Sequence, residues 1–228
     1  MIRPGARVFG ALFMTSENIA PVELAALIAS RVCHDVISPV GAIANGLEVL
    51  DEESDPSMRE FAMDLIRKSA RQASVKLQFS RLAFGASGGA GSHIDMAEAG
   101  RCANELLARE KVELKWEVAA SLLPKTEAKI LLNLLLLAAN TIARGGVLTV
   151  KASERGGAVD MQVAAEGDRA RLPENVRDVL LGRTAPDPLD AHSVQPLYAV
   201  LLAREAELVF DVEEEEEGRI VLSAAPAA

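Results

Sequence analysis

His34 is followed by Asp35 and, five residues after the histidine, by Pro39, in the run His34-Asp35-Val36-Ile37-Ser38-Pro39. An imidazole nitrogen can take a phosphoryl group and hold it as a reactive phosphoramidate. A carboxylate next to it can bias the ring tautomer and accept its proton. The residues around the pair supply a helical frame. Val36, Val40, Ile43, Leu47 and Leu50 recur at spacings of four, three, four and three. At roughly 100° per residue they fall within about 40° of one line, the stripe expected to face a core, and His34 lies about 160° from it, facing solvent. Ser38, Gly41 and Asn45 follow His34 along the outer face and leave room for the backbone of another protein. Pro39 has no N–H, so the carbonyl of Asp35 loses its helical partner and the helix is expected to bend there.

The element carrying His34 is expected to start at Pro21, a favoured first helical residue, and to run to about Leu50. Asp51-Glu52-Glu53-Ser54 is the expected turn, after which Asp55 caps a second helix with Pro56 in its first position. Ile66, Ala70, Ala73, Leu77 and Phe84 mark one face of that helix. The two make an antiparallel hairpin, in which Arg67, Lys68, Arg71 and Lys76 bring positive charge to about the level of His34. Of these, Lys68 and Arg71 are expected, with Ser38, Gly41 and Asn45, on a partner-binding surface. A lone hairpin cannot bury both of its apolar faces. Two hairpins from two chains can, as a four-helix bundle, which predicts a homodimer.

Composition sets the context. The 228 residues are half hydrophobic but only 4 % aromatic, which favours packed helices rich in alanine and leucine. A net charge of −9 argues against nucleic acid as a partner. Cys33 and Cys102 fit no zinc spacing and are expected to be free, mostly buried thiols in a reducing cytoplasm. The apolar runs from Val8 to Met14 and from Ile130 to Ala139 are too short to span a bilayer, so no membrane association is expected.

The chain divides into a flexible tail over 1–20, the hairpin over 21–84, a glycine-rich linker over 85–92 and a second domain over 93–228. Beyond the linker, Asp95-Met96-Ala97-Glu98 opens a helix to about Arg109, and Val112 to Val118 alternates as a strand. Pro124 to Ile142 is a strongly apolar helix. Strands follow at Val147 to Ala152 and Ala158 to Ala164, joined through Gly156-Gly157. Helices near Pro173 to Leu181 and Val194 to Arg204 precede strands at Glu207 to Val212 and Arg219 to Ser223, with Glu213 to Glu217 as the solvated turn between them. The fold class is α+β, with a helical hairpin followed by a layer of helices on a sheet.

The His34-to-Pro39 run resembles the phospho-accepting box of two-component histidine kinases, although Ile37 stands where kinases often carry arginine, lysine or asparagine. The order of elements over residues 93–223 resembles their ATP-binding domain and related GHKL ATPases, an α/β sandwich. Leu132-Asn133-Leu134-Leu135-Leu136-Leu137-Ala138 resembles the N-box helix, with Asn133 at its first asparagine. The position that holds magnesium in kinases is Leu137, which offers no oxygen. The adenine-binding aspartate is replaced by Ala165 in Ala165-Glu166-Gly167-Asp168-Arg169. The glycine-rich lid is replaced by Ser193-Val194-Gln195-Pro196-Leu197, which has no glycine.

A kinase-like hairpin joined to a degenerate ATPase-like domain resembles the ChpT family of histidine phosphotransferases of alphaproteobacterial phosphorelays. The resemblance implies a dimeric shuttle that accepts phosphate from the receiver-domain aspartate of a hybrid histidine kinase and passes it to receiver domains of response regulators. His34 would be the nucleophile and Asp35 would orient and deprotonate its ring. No ATP and no metal are expected on this chain, magnesium being needed only in the partner receiver. His93 and His192 lie in loop-like contexts and read as ordinary surface histidines. The competing readings are an atypical autophosphorylating kinase and a non-catalytic scaffold that binds receivers.

Overall fold

A computed structural model describes residues 19–86, 93–108, 111–155, 158–215 and 218–227. The expected tail over residues 1–18, most of the linker and the Gly156-Gly157 turn lie outside the described residues. Helix α1 spans Pro21–Glu52 with Pro21 in its first turn, and α2 spans Pro56–Phe84. Between them, Glu53 Oε1 accepts the amide N–H groups of Ser54 and Asp55, at 2.9 and 3.1 Å. Asp55 caps α2 by accepting from the Ser57 amide at 2.9 Å, and Arg59 donates to the Leu50 and Glu53 carbonyls, closing the hairpin.

The line of contact between α1 and α2 is one residue away from the stripe that hydropathy picks out. Pro39 and Gly46 are the buried residues of α1, whereas Val40 and Leu47 are each 50 % exposed. Gly46 is what lets the helices close up, because a Cβ there would lie 2.6 Å from Ile66 Cγ1. The expected face of α2 is likewise only partly buried in the single chain. Ala73 is buried, but Ala70 and Leu77 are exposed. The buried line runs instead through Ala62, Ser69, Ala73 and Ser80, with Val75, Phe79 and Leu82 turned to the rest of the fold. By length and composition α1 is apolar enough to cross a bilayer, a property that reading short apolar runs passes over. It nevertheless carries the Arg31–Asp35 ion pair and packs along α2.

After the hairpin come β1 (His93–Asp95), α3 (Met96–Leu107), β2 (Val112–Val118), β3 (Leu122–Pro124) and α4 (Lys125–Thr141). They are followed by β4 (Gly146–Arg155), β5 (Ala158–Glu166), α5 (Glu174–Leu180), α6 (Val194–Glu205), β6 (Leu208–Glu215) and β7 (Arg219–Pro226). Asp95 caps α3, accepting from the amides of Ala97 and Glu98 at 2.7 and 2.9 Å. The main sheet has the order β2-β4-β5-β7-β6, with β2 and β4 parallel and the other neighbours antiparallel. β6 continues to Glu215, so Glu213 to Glu215 are paired strand residues rather than the turn. β1 and β3 form a separate antiparallel ribbon, too short to leave a period in the sequence.

One face of the sheet is apolar and packed. Leu148, Val150 and Ala152 of β4 lie in register with Ala165, Val163 and Met161 of β5, and these with Ile220, Leu222 and Ala224 of β7. Helix α4 covers them with Ile130, Leu131, Leu134, Leu135 and Ala138, all fully buried. The opposite face is polar, and there Glu117 and Lys151, partners in the β2–β4 register, form an ion pair at 3.3 Å. Gly100 of α3 seats Trp116 of β2, since a Cβ at Gly100 would lie 2.9 Å from the indole. The hairpin joins this layer directly. α2 packs on α3 and α4, and α1 touches α6. That last contact brings the second domain up to His34.

Candidate functional site

The His34 side chain is 57 % exposed on the outer face of α1. Its Nδ1 lies 3.7 Å from Asp35 Oδ1, an electrostatic contact beyond hydrogen-bond length. Asp35 Oδ2 accepts from Arg31 Nε at 3.1 Å, so the carboxylate is braced from one turn back while its other oxygen faces the imidazole. The Asp35 carbonyl, orphaned by the missing N–H of Pro39, is satisfied from the neighbouring helix. Lys76 Nζ reaches it at 3.0 Å. Pro39 thus creates an acceptor one residue from His34, and α2 supplies a cation to it.

Ser38, Gly41 and Asn45 are exposed, and nothing lies within 4 Å of a Cβ built at Gly41. Ile37, one turn beyond His34, is 70 % exposed, an apolar side chain on the same open surface. Of the basic residues expected near His34, Lys76 is brought to it. Lys68 pairs instead with Asp64 on its own helix at 2.5 Å. Arg71 is exposed, and among the described residues no hydrogen bond or ion pair joins Lys68 or Arg71 to His34 or Asp35.

His192 corrects the sequence reading. It is exposed, but its ring stands edge-on to the His34 ring, with centroids 4.6 Å apart and planes at 80°. A tight turn holds it: Asp190 Oδ1 accepts the amides of His192 and Ser193, each at 2.8 Å, and Ser193 Oγ donates to the Pro188 carbonyl at 2.7 Å. The backbone N–H groups of Ser193 and then His192 hold the Asp190 carboxyl below its usual range. The contact joins a hairpin residue to a loop far along the chain, and no local pattern announces it. His93, in β1, is exposed as expected.

The positions that match a nucleotide site serve the fold. Leu137 and Ala165 are buried in the core. Asn133 is also fully buried, and its Nδ2 donates to the Lys129 carbonyl at 2.9 Å and to the Ala83 carbonyl of α2 at 3.2 Å, tying α4 to the hairpin. Val194-Gln195-Pro196-Leu197 forms the buried start of α6. An open cleft of about 730 Å³ between α5 and the segment before α6 has Glu174, Asp178, Asp187 and Asp190 on its walls, carboxylates that repel a polyphosphate. Among the described residues no cluster of three or more His, Cys, Asp and Glu side chains gathers in an arrangement able to hold a metal ion.

The cysteines differ from one another. Cys33 is exposed, contrary to the expectation for both thiols. Cys102 is buried, and burial, helped by Glu105 and Glu98, pushes its thiol up to about 11.

A family model for the histidine phosphotransferase C-terminal domain matches residues 96–218. The protein phosphotransferase ChpT of Brucella abortus is 46 % identical over 189 residues, 83 % of this chain and 89 % of the relative. A solved structure of a bacterial phosphotransferase superposes with a TM-score of 0.82 at 43 % identity, covering 91 % of this chain and 98 % of the other. A sensor-type histidine kinase, PrrB of Mycobacterium leprae, is 25 % identical over 209 residues, and the match takes in 46 % of its length. A helical hairpin bearing an exposed histidine, packed on an α+β layer and matched by these phosphotransferases, defines a protein phosphotransferase acting in a phosphorelay. The chain belongs to the ChpT family of histidine phosphotransferases.

Proposed function

We propose that His34 is the phosphoryl acceptor and donor of this phosphotransferase. It takes the group from the aspartyl phosphate of a hybrid kinase's receiver domain and passes it to receiver domains of response regulators. The observation that carries the reading is the exposed imidazole on an open helical face, with a braced carboxylate at its Nδ1. Asp35 favours the tautomer with the proton on Nδ1, which leaves the Nε2 lone pair free to attack. As the N–P bond forms, the P–O bond to the receiver's aspartate breaks and its electron pair leaves on that carboxylate. The proton on Nδ1 is stabilised by Asp35, and the reverse sequence delivers the group to the next receiver. Magnesium held by the receiver would supply charge neutralisation at the phosphoryl oxygens.

Ile37, Ser38, Gly41 and Asn45 form the docking face beside His34. Lys68 and Arg71, exposed on α2, contribute positive charge farther out on the surface offered to an acidic receiver. The half-exposed Val40, Leu47 and Leu77 supply the seam of a homodimer. Burying the remaining half of each contributes roughly 1 kcal/mol per side chain, several of them along each helix. This also accounts for the apolarity of α1 without a membrane, and we place the protein in the cytoplasm. ATP takes no part, because Leu137 and Ala165 stand where the kinase pattern needs an oxygen ligand and an adenine acceptor.

The test is incubation with a receiver domain phosphorylated by acetyl phosphate. The wild-type chain should take up phosphate, and His34→Ala and His34→Gln should take up none while keeping the oligomeric state. Normal uptake by either variant removes His34 from the mechanism.

A further inference from the structure

We infer that His192 is a positioning residue for phosphotransfer, its ring edge fixing the orientation of the His34 imidazole. This rests on His34 being the phosphoryl acceptor. An exposed histidine side chain rotates freely about χ1 and χ2 unless something holds it. Asp35, at 3.7 Å from Nδ1, is too distant to hold it through a hydrogen bond. In-line attack requires the Nε2 lone pair to point at phosphorus, so ring orientation enters the rate directly. The group in ring contact with His34 is His192, edge-on at 4.6 Å and 80°.

That edge-to-face geometry is the favoured one for two aromatic rings. It restrains the plane of His34, whose side chain stays 57 % exposed to a partner. His192 is itself braced. Asp190 accepts its amide and that of Ser193, Ser193 Oγ donates to the Pro188 carbonyl, and the Val194 amide donates to the Asp190 carbonyl at 3.0 Å as α6 begins. Helix α6, buried at its start and in contact with α1, carries this turn to the hairpin. The segment that in a kinase would close over nucleotide here presents an imidazole to the phosphoryl-accepting one. This gives the degenerate domain a part in transfer that needs no nucleotide.

The experiment uses the full chain and measures single-turnover uptake from a hybrid-kinase receiver phosphorylated by acetyl phosphate, at increasing receiver concentration. His192→Ala should lower the saturating rate roughly three- to tenfold, the loss expected for one edge-to-face contact. The half-saturating concentration should stay unchanged. His192→Phe keeps a ring edge and should recover most of the rate. In parallel, the imidazole nitrogen spectrum of His34 should change in His192→Ala and return toward wild type in His192→Phe, a readout independent of turnover. A wild-type saturating rate in His192→Ala, or a normal saturating rate with a raised half-saturating concentration, overturns the inference, the second outcome making the loop a docking element. An unchanged His34 spectrum in His192→Ala overturns it as well. His34→Ala run alongside keeps the two claims apart. Uptake by that variant defeats the acceptor assignment, whereas its inactivity together with full activity of His192→Ala defeats only the role of His192.

Discussion

Replacing Lys76 with methionine isolates the link between the two helices at the site. The substitution keeps the apolar stem and removes the ammonium that donates to the Asp35 carbonyl at 3.0 Å. A hydrogen bond from a charged donor contributes about 1.5–3 kcal/mol where nothing replaces it. Lys76 and Asp35 are only half-buried, so water can reach the carbonyl, and the expected loss is ~1 kcal/mol. For a chain of this size that lowers the melting temperature by about 2–4 °C. The effect depends on Pro39, because the carbonyl needs Lys76 only while residue 39 has no N–H. In a Pro39→Ala background the amide of residue 39 can donate to the Asp35 carbonyl, and Lys76→Met should then be almost neutral. Thermal melts of the wild type, both single variants and the double variant should give a coupling of about 1 kcal/mol. The cycle also cancels the packing lost with the buried Pro39 ring. Equal losses from Lys76→Met in both backgrounds would mean that Lys76 does not act through the Asp35 carbonyl.

Gly46→Ala should destabilise the hairpin by roughly 1–3 kcal/mol, since the new Cβ meets Ile66 Cγ1 at 2.6 Å, and a denaturant midpoint at the wild-type value would show that the crossing has slack. Leu47→Asp, at a position already half-exposed in the single chain, should leave the fold intact but give a monomer by light scattering. A variant that stays dimeric puts the interface elsewhere. Titration calorimetry with ATP and magnesium should show no specific heat at millimolar nucleotide, and a micromolar Kd would return the chain to the kinases. A thiol reagent at pH 8 should modify Cys33 and spare Cys102, whose pKa near 11 leaves on the order of a thousandth of it as thiolate. Because the folded state holds that proton more tightly than the unfolded chain does, stability should fall as pH rises from about 9 through 11, and Cys102→Ala should remove that part of the fall.

The elements and their order were legible in the sequence, from Pro21 and the Asp55 cap to the alternation of β2 and the apolar α4. Caps, turns and periods are local, and so is the outward position of His34. The failures are contacts that locality cannot encode. Hydropathy identified the most apolar stripe of α1, but the partner helix joined by the turn packs along Pro39 and Gly46, where small or rigid residues allow close approach. The apolar stripe is left half-exposed in the single chain. Lys76 could be placed near the level of His34 by counting back from the turn, and the orphaned carbonyl could be foreseen from Pro39. Their union needed the fold. The contact of His192 with His34 left no signal at all, because it depends on which residue the turn before α6 is carried against. The side-chain chemistry at Leu137 and Ala165, both in the core, is local and was readable. The separate task of Asn133, tying α4 to α2, was not.

Mapping the phosphate on the wild-type chain identifies the residue that carries it. After incubation with a phosphorylated receiver domain, the full chain is digested under neutral to alkaline conditions and the modified peptide is sequenced by mass spectrometry. One acid-labile, base-stable phosphate is expected, on His34. Phosphate on any other residue, or none on a chain incubated with a receiver that is losing its own, would contradict it.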